Sequence, residues 1–212
     1  MRALIGLETL DIATPEGYLN GRVFALVVPL LFLIFSIGFG ARTVAGEEQR
    51  GTLELVLATP IARWRVVVEK LAAMVVSTAL LGVVLWASLV LVGSSVDLGV
   101  GPGPLGRPVV MAVLLAITFG ALALGIGCAT GRRSWATGIA SGVAVGAYVV
   151  KAFAPIAPAL ETFEGLSPFY YYDAALPLVN GIDPTHVAFF LLLGFAFTSL
   201  ALVTFDRRDL GV

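Results

Sequence analysis

Residues 71–96 read LAAMVVSTALLGVVLWASLVLVGSSV, 26 positions between Lys70 and Asp97 without one Asp, Glu, Lys or Arg. A helix of that length, rising about 1.5 Å per residue, covers roughly 39 Å and so crosses the roughly 30 Å of hydrocarbon in a bilayer. On a soluble surface it would need a polar face, and it has none. Four runs of the same kind flank it: Val23–Ala41, Pro108–Gly131, Ser134–Val150 and Thr185–Phe205. Hydrophobic residues make up 58% of the 212-residue chain and charged residues 13%, against about 45–50% and about 25% in soluble domains. Mean hydropathy is +0.98. No segment alternates with period two, and open strand edges are not tolerated in lipid. The expected fold is an all-α polytopic transmembrane bundle of five spans, one domain over residues 1–212, embedded in the lipid bilayer.

The composition also excludes functions. Thirteen Lys+Arg against 14 Asp+Glu give no basic field for nucleic acid. One cysteine and one histidine leave no protein-only zinc or iron–sulfur site, although three methionines allow a soft contact. A phosphate-binding loop needs Gly-Lys-Ser/Thr. The two lysines, Lys70 and Lys151, follow Glu69 and Val150, so the chain has no such loop. Ionisable residues are absent from the span centres, which argues against a proton- or ion-driven pump. The only serine–histidine pairing worth weighing for an intramembrane protease is Ser141 with His186. They fall at different depths, more than about 10 Å apart along the bilayer normal.

Cations set the orientation. Arg42, Arg50, Arg63, Arg65, Lys70, Arg132, Arg133, Arg207 and Arg208 fall on one side of a five-span chain, and Arg2, Arg22, Arg107 and Lys151 on the other. The first side, with the C-terminus, is expected in the cytoplasm of a multi-pass plasma-membrane protein. Residues 1–22 then lie outside without an apolar signal region and read like a loop between two helices. That pattern fits a chain lacking a first span, or a short translocated tail.

The charged segment between the first two spans carries the most information: RTVAGEEQRGTLELVLATPIARWRVVVEK, residues 42–70. Apolar residues from Leu53 through Val56, Leu57, Ile61, Trp64, Val67, Val68 and Leu71 mark one helical face. Glu47, Glu48, Arg50 and Glu54 mark the other. Thr59-Pro60 is a helix restart signal. The expected structure is a short amphipathic helix over Gly46–Ala58, a turn, and a second helix from about Pro60 into the next span, with Arg65 and Glu69 paired at i, i+4. Such a helix either rests on lipid or docks a cytoplasmic partner.

The block Gly46-Glu47-Glu48, Arg50-Gly51-Thr52-Leu53-Glu54-Leu55, Thr59-Pro60, Arg63 and Lys70 resembles the signature of exporter-type (type 2) ABC transporter permeases. Leu166–Tyr172 and Phe205–Leu210 resemble the segment before the last helix and the C-terminal ending of that family, so the resemblance covers about residues 20–210. It implies a membrane permease subunit exporting a small or lipid-like molecule. Energy would come from a separate ABC ATPase subunit that binds ATP and Mg, this chain binding no cofactor itself, and a second permease copy or a paralogue would complete the transporter. It implies six helices where this chain shows five. It also implies that Glu47, Glu48, Gly51, Thr52, Leu53, Glu54, Leu55, Pro60 and Arg63 couple the permease to the ATPase. The alternative is a non-transporting membrane scaffold or an inactive truncated fragment.

Outside that block, Gly138, Gly142 and Gly146 form a small-residue ladder on the fourth span and Gly127 and Gly131 repeat its spacing on the third. These are candidate helix-packing positions, within the chain or between subunits. Pro29 is expected to kink the first span. Tyr170, Tyr171 and Tyr172 suit an interfacial aromatic belt, and Asp206–Asp209 reads as a stop anchor.

Overall fold

A computed structural model describes residues 19–53, 61–95, 99–174 and 176–208. Among them the regular structure is entirely helical. The first span, α1, is π-wound over Leu19–Val27 and α-helical over Val28–Thr43. The change of winding falls beside Pro29, whose missing N–H leaves a carbonyl of the preceding turn without an α-type partner. Then come α2 (Ala45–Gln49), α3 (Arg63–Ser95), α4 (Pro102–Thr130) and α5 (Arg133–Phe153). Three short helices follow, α6 (Pro158–Glu164), α7 (Pro168–Asp173) and α8 (Pro177–Asn180), before the last span, α9 (Pro184–Arg207). Proline occupies the first turn of α4, α6, α7, α8 and α9, where its missing N–H costs nothing.

The five helices long and apolar enough to cross a membrane are Val23–Thr43, α3, α4, α5 and α9. They match the five runs read from the sequence, α3 extending that run by two turns at its start. The fourth run, the shortest, continues past Lys151 to Phe153. α4 is the hub: 67% of its apolar window is buried, against 11–44% for the other four, and it packs on α1, α3, α5 and α9. Large apolar side chains cover the outward faces, among them Leu80, Leu91, Leu192 and Phe195. Water would not tolerate that surface on a monomer; lipid does.

The tightest crossing joins α1 to α4. A Cβ on Gly40 would collide with the Gly120 carbonyl, and one on Gly120 would press Met74 of α3. The glycine ladder of α5 faces away from the rest of this bundle. Gly138, Gly142 and Gly146 are exposed, and among the described residues a Cβ at any of them meets nothing within 4 Å. The inward ladder of α5 is Ala136, Ala140 and Ala144, two positions earlier with the same spacing. Gly127 does pack, against Ala45 and Ala136.

Candidate coupling site at the arginine-rich end

The ends of α1, α4 and α9 and the starts of α3 and α5 meet at one end of the bundle, and α2 is folded against them. The segment enters through buried Val44, Ala45 and Gly46. One turn of helix follows, and α2 stops at Gln49. Gly51 takes φ +70°, a left-handed conformation that a side chain would strain, and among the described residues nothing lies within 4 Å of a Cβ built there. Thr52 and Leu53 turn helical again, with Leu53 buried against Val44, Val66 and Phe205. A single amphipathic helix over Gly46–Ala58 is therefore corrected to a helix broken at Gly51. Glu54, Leu55, Pro60 and the Thr59-Pro60 restart lie outside the described residues. α3 begins at Arg63 and runs unbroken into its span, with Arg65 and Glu69 paired at 2.9 Å as their spacing predicts.

Glu47 and Glu48, expected on a free face, are occupied within the chain. Consecutive helical positions point about 100° apart, and Glu47 and Glu48 use that divergence to reach different helices. Glu47 accepts from Lys70 Nζ on α3. Glu48 takes both terminal nitrogens of Arg208, just past α9: Nη1 donates to its Oε2 at 3.1 Å and Nη2 to its Oε1. Arg208 Nη1 also donates to the Cys128 carbonyl at 3.2 Å, in the last turn of α4 where carbonyls lack helical partners. The Arg208 carbonyl accepts from Arg63 Nη1 at 2.8 Å. Gly131 caps α4 at φ +64°, and a Cβ there would collide with the Arg208 guanidinium.

These ionic side chains are 22–28% exposed. The solvent-facing tip of the segment is Gln49, Arg50, Gly51 and Thr52. Thr52 Oγ1 donates back to the Glu47 carbonyl at 3.1 Å, which pins the tip across the break. The sequence reading placed Glu47, Glu48 and Arg63 in this site and missed Arg208 and Lys70 as their partners. Only their position at span ends hinted at it.

The opposite end is aromatic. Tyr171 stacks on Phe189, Phe169 packs edge-on to Tyr148, and Tyr172, buried, donates to the Phe24 carbonyl at 2.6 Å. Burial holds the Tyr172 phenol well above its ordinary pKa. His186 sits against the Tyr171 ring, whereas Ser141 lines an apolar cavity of about 250 Å³ between α1 and α5, with Pro29, Ile37 and Tyr148. His186 makes no hydrogen bond to Ser141 among the described residues, and its buried Nδ1 has no partner. A second crevice, about 590 Å³, opens between α3 and α4 beside Gly82, Trp86 and Arg107.

A comparison with proteins of curated function returns no match. The sequence model of a family described as ABC-2 family transporter protein matches residues 2–210, nearly the whole chain. Members of that family supply the membrane component of ABC transporters and are not themselves the catalytic part. The chain belongs to the ABC-2 transporter family, as a multi-pass membrane protein and permease component.

Proposed function

We propose that this chain is the permease subunit of an ATP-driven exporter in the plasma membrane, working with a separate ATPase that binds ATP and Mg. A second copy or a paralogue completes the transport path. The arginine-rich end and the C-terminus face the cytoplasm, an orientation supported by the nine of 13 cations on that side under the positive-inside rule. The apolar lining of the cavity between α1 and α5 suits a small apolar or lipid-like cargo.

The observation that carries this reading is the seating of residues 44–53. The segment is buried along one side against the ends of the spans and presents Gln49–Thr52 to solvent on the other. Glu47, Glu48, Leu53 and Arg63 hold it on the bundle, and Gly51 and Thr52 lie at the tip that meets the ATPase. Glu54, Leu55 and Pro60 belong to the same docking element through the family signature.

A photo-crosslinking amino acid at Thr52, and another at exposed Leu166 at the far end, test this in native membranes. The expected product is a protein with a Gly-Lys-Ser/Thr phosphate loop joined to position 52 and not to 166. Capture of no such ATPase at 52, or equal capture at both, contradicts the proposal.

A further inference from the structure

We infer that Arg208 is the positioning residue of the coupling segment, the side chain that makes residues 44–53 and the ends of α4 and α9 move as one body. The inference rests on the transporter reading above and adds to its Gly46–Lys70 block a residue of the C-terminal ending, to which that reading gave no coupling role.

The case begins with the shape of the group. A guanidinium carries five N–H donors in a rigid plane, so it can bind a carboxylate with two nitrogens and still donate elsewhere. Arg208 does both: Nη1 and Nη2 take Glu48, and Nη1 also reaches the Cys128 carbonyl. A cation at the C-terminal end of α4 is favoured further by the partial negative charge of those carbonyls. Its own carbonyl accepts from Arg63 at the start of α3. One residue therefore ties α2 to α4 and α9, and its backbone adds α3.

Gly131 supplies the independent observation. Its left-handed φ strains any side chain, and a Cβ there would meet the Arg208 guanidinium. The atom that a Cβ would strike is the tip of a flexible chain, so the added methyl displaces Arg208 more readily than it disrupts the backbone. Glu47–Lys70 fastens the segment to α3 alone and reaches neither α4 nor α9. Movement imposed on the tip at Gln49–Thr52 thus has a polar route to α4 and α9 through Glu48 and Arg208, beside the apolar contacts of Leu53 with Phe205 and of Ala45 with Gly127.

The test has two readouts. Hydrogen exchange of the chain in lipid nanodiscs reports the amides of residues 45–53. We expect Arg208→Ala and Glu48→Arg each to speed exchange there by about tenfold, with partial recovery in the double variant Glu48→Arg/Arg208→Glu. Arg208→Lys, a point donor that cannot span both acceptors, should stay faster than wild type. Should Arg208→Ala not fold, Arg208→Lys decides. Unchanged exchange in the single variants, or no recovery in the double, overturns the inference.

The second readout uses the captured ATPase. An Arg208 variant is expected to retain it and to lose most of the chain's effect on its hydrolysis rate. An effect equal to wild type overturns the coupling role. If the wild-type chain captures no ATPase, the transporter reading fails, and the exchange result alone decides whether Arg208 seats the segment.

Discussion

At the arginine-rich end Glu48 reaches Arg208 and Glu47 reaches Lys70, whereas at the opposite end Tyr171 stacks on Phe189 with centroids 3.8 Å apart and Phe169 fills the space between Phe119 and Tyr148. Both ends close the bundle, by different physics. The aromatic end depends on shape: close-packed rings do not trade partners without opening a void. The ionic end depends on charge and donor geometry, and its groups, 22–28% exposed, keep an edge to water that the packed rings lack. A moving input belongs at the second kind of end, and a fixed hinge at the first. Lys151–Asp173, at 2.6 Å, is the ionic exception at the aromatic end among the described residues, and it braces the short helices against α5.

The largest effect that separates the ends is expected from Phe169→Ala. Phe169 is 5% exposed, and its loss leaves a void at the junction of α4, α5 and α7. Stability should fall by about 3 kcal/mol, read as a lower unfolding midpoint in detergent, with exchange of residues 45–53 unchanged. A midpoint equal to wild type breaks the claim that this end is held by shape.

Tyr172→Phe comes next. It leaves the Phe24 carbonyl without its donor, at about 1 kcal/mol. The phenol adds a pH signature. Its folded pKa is raised above the ordinary 10.0 by burial, so its stabilisation is present below pH 10 and is lost as pH rises through the folded value, while the unfolded chain ionises first. The wild-type midpoint should therefore drop more steeply above pH 10 than that of Tyr172→Phe. Parallel curves would remove Tyr172 from the account.

The smallest effect is expected for Arg65→Ala. Its pair with Glu69 is 64% and 60% exposed, worth a few tenths of a kcal/mol at most. A measurable loss of stability there would mean that surface pairs at this end matter as much as Glu48–Arg208, and the distinction between seated and solvated charges would collapse.

The spans were legible because the bilayer imposes a length and a charge rule that composition alone reveals. Residues 71–96 needed no structure to be read as a helix. Helix contacts were less legible. On α5 the ladders Ala136/Ala140/Ala144 and Gly138/Gly142/Gly146 share one spacing and one size class, and lipid and protein are both apolar, so no hydropathy difference says which faces inward. Gly40 and Gly120, the true close approach, lie 80 positions apart on different helices, beyond any periodic signal. In residues 44–53 the signature residues were visible, but the break at Gly51 was not, because the apolar and charged faces read as one helix over Gly46–Ala58. Nor were the partners of the signature residues. Glu48 meets Arg208 across 160 positions, a contact that only the helix topology creates.

One measurement bears most directly on the claim that this end receives the force of an ATPase. The ATPase captured at Thr52 would be reconstituted with the chain in proteoliposomes and its ATP hydrolysis followed. Wild-type chain would be compared with a variant altered only at the exposed tip, Gln49→Ala/Arg50→Glu/Thr52→Ala. The account predicts that the wild-type chain changes the hydrolysis rate and that the tip variant, folded and inserted, does not. A rate indifferent to the chain, or changed equally by both forms, would contradict it.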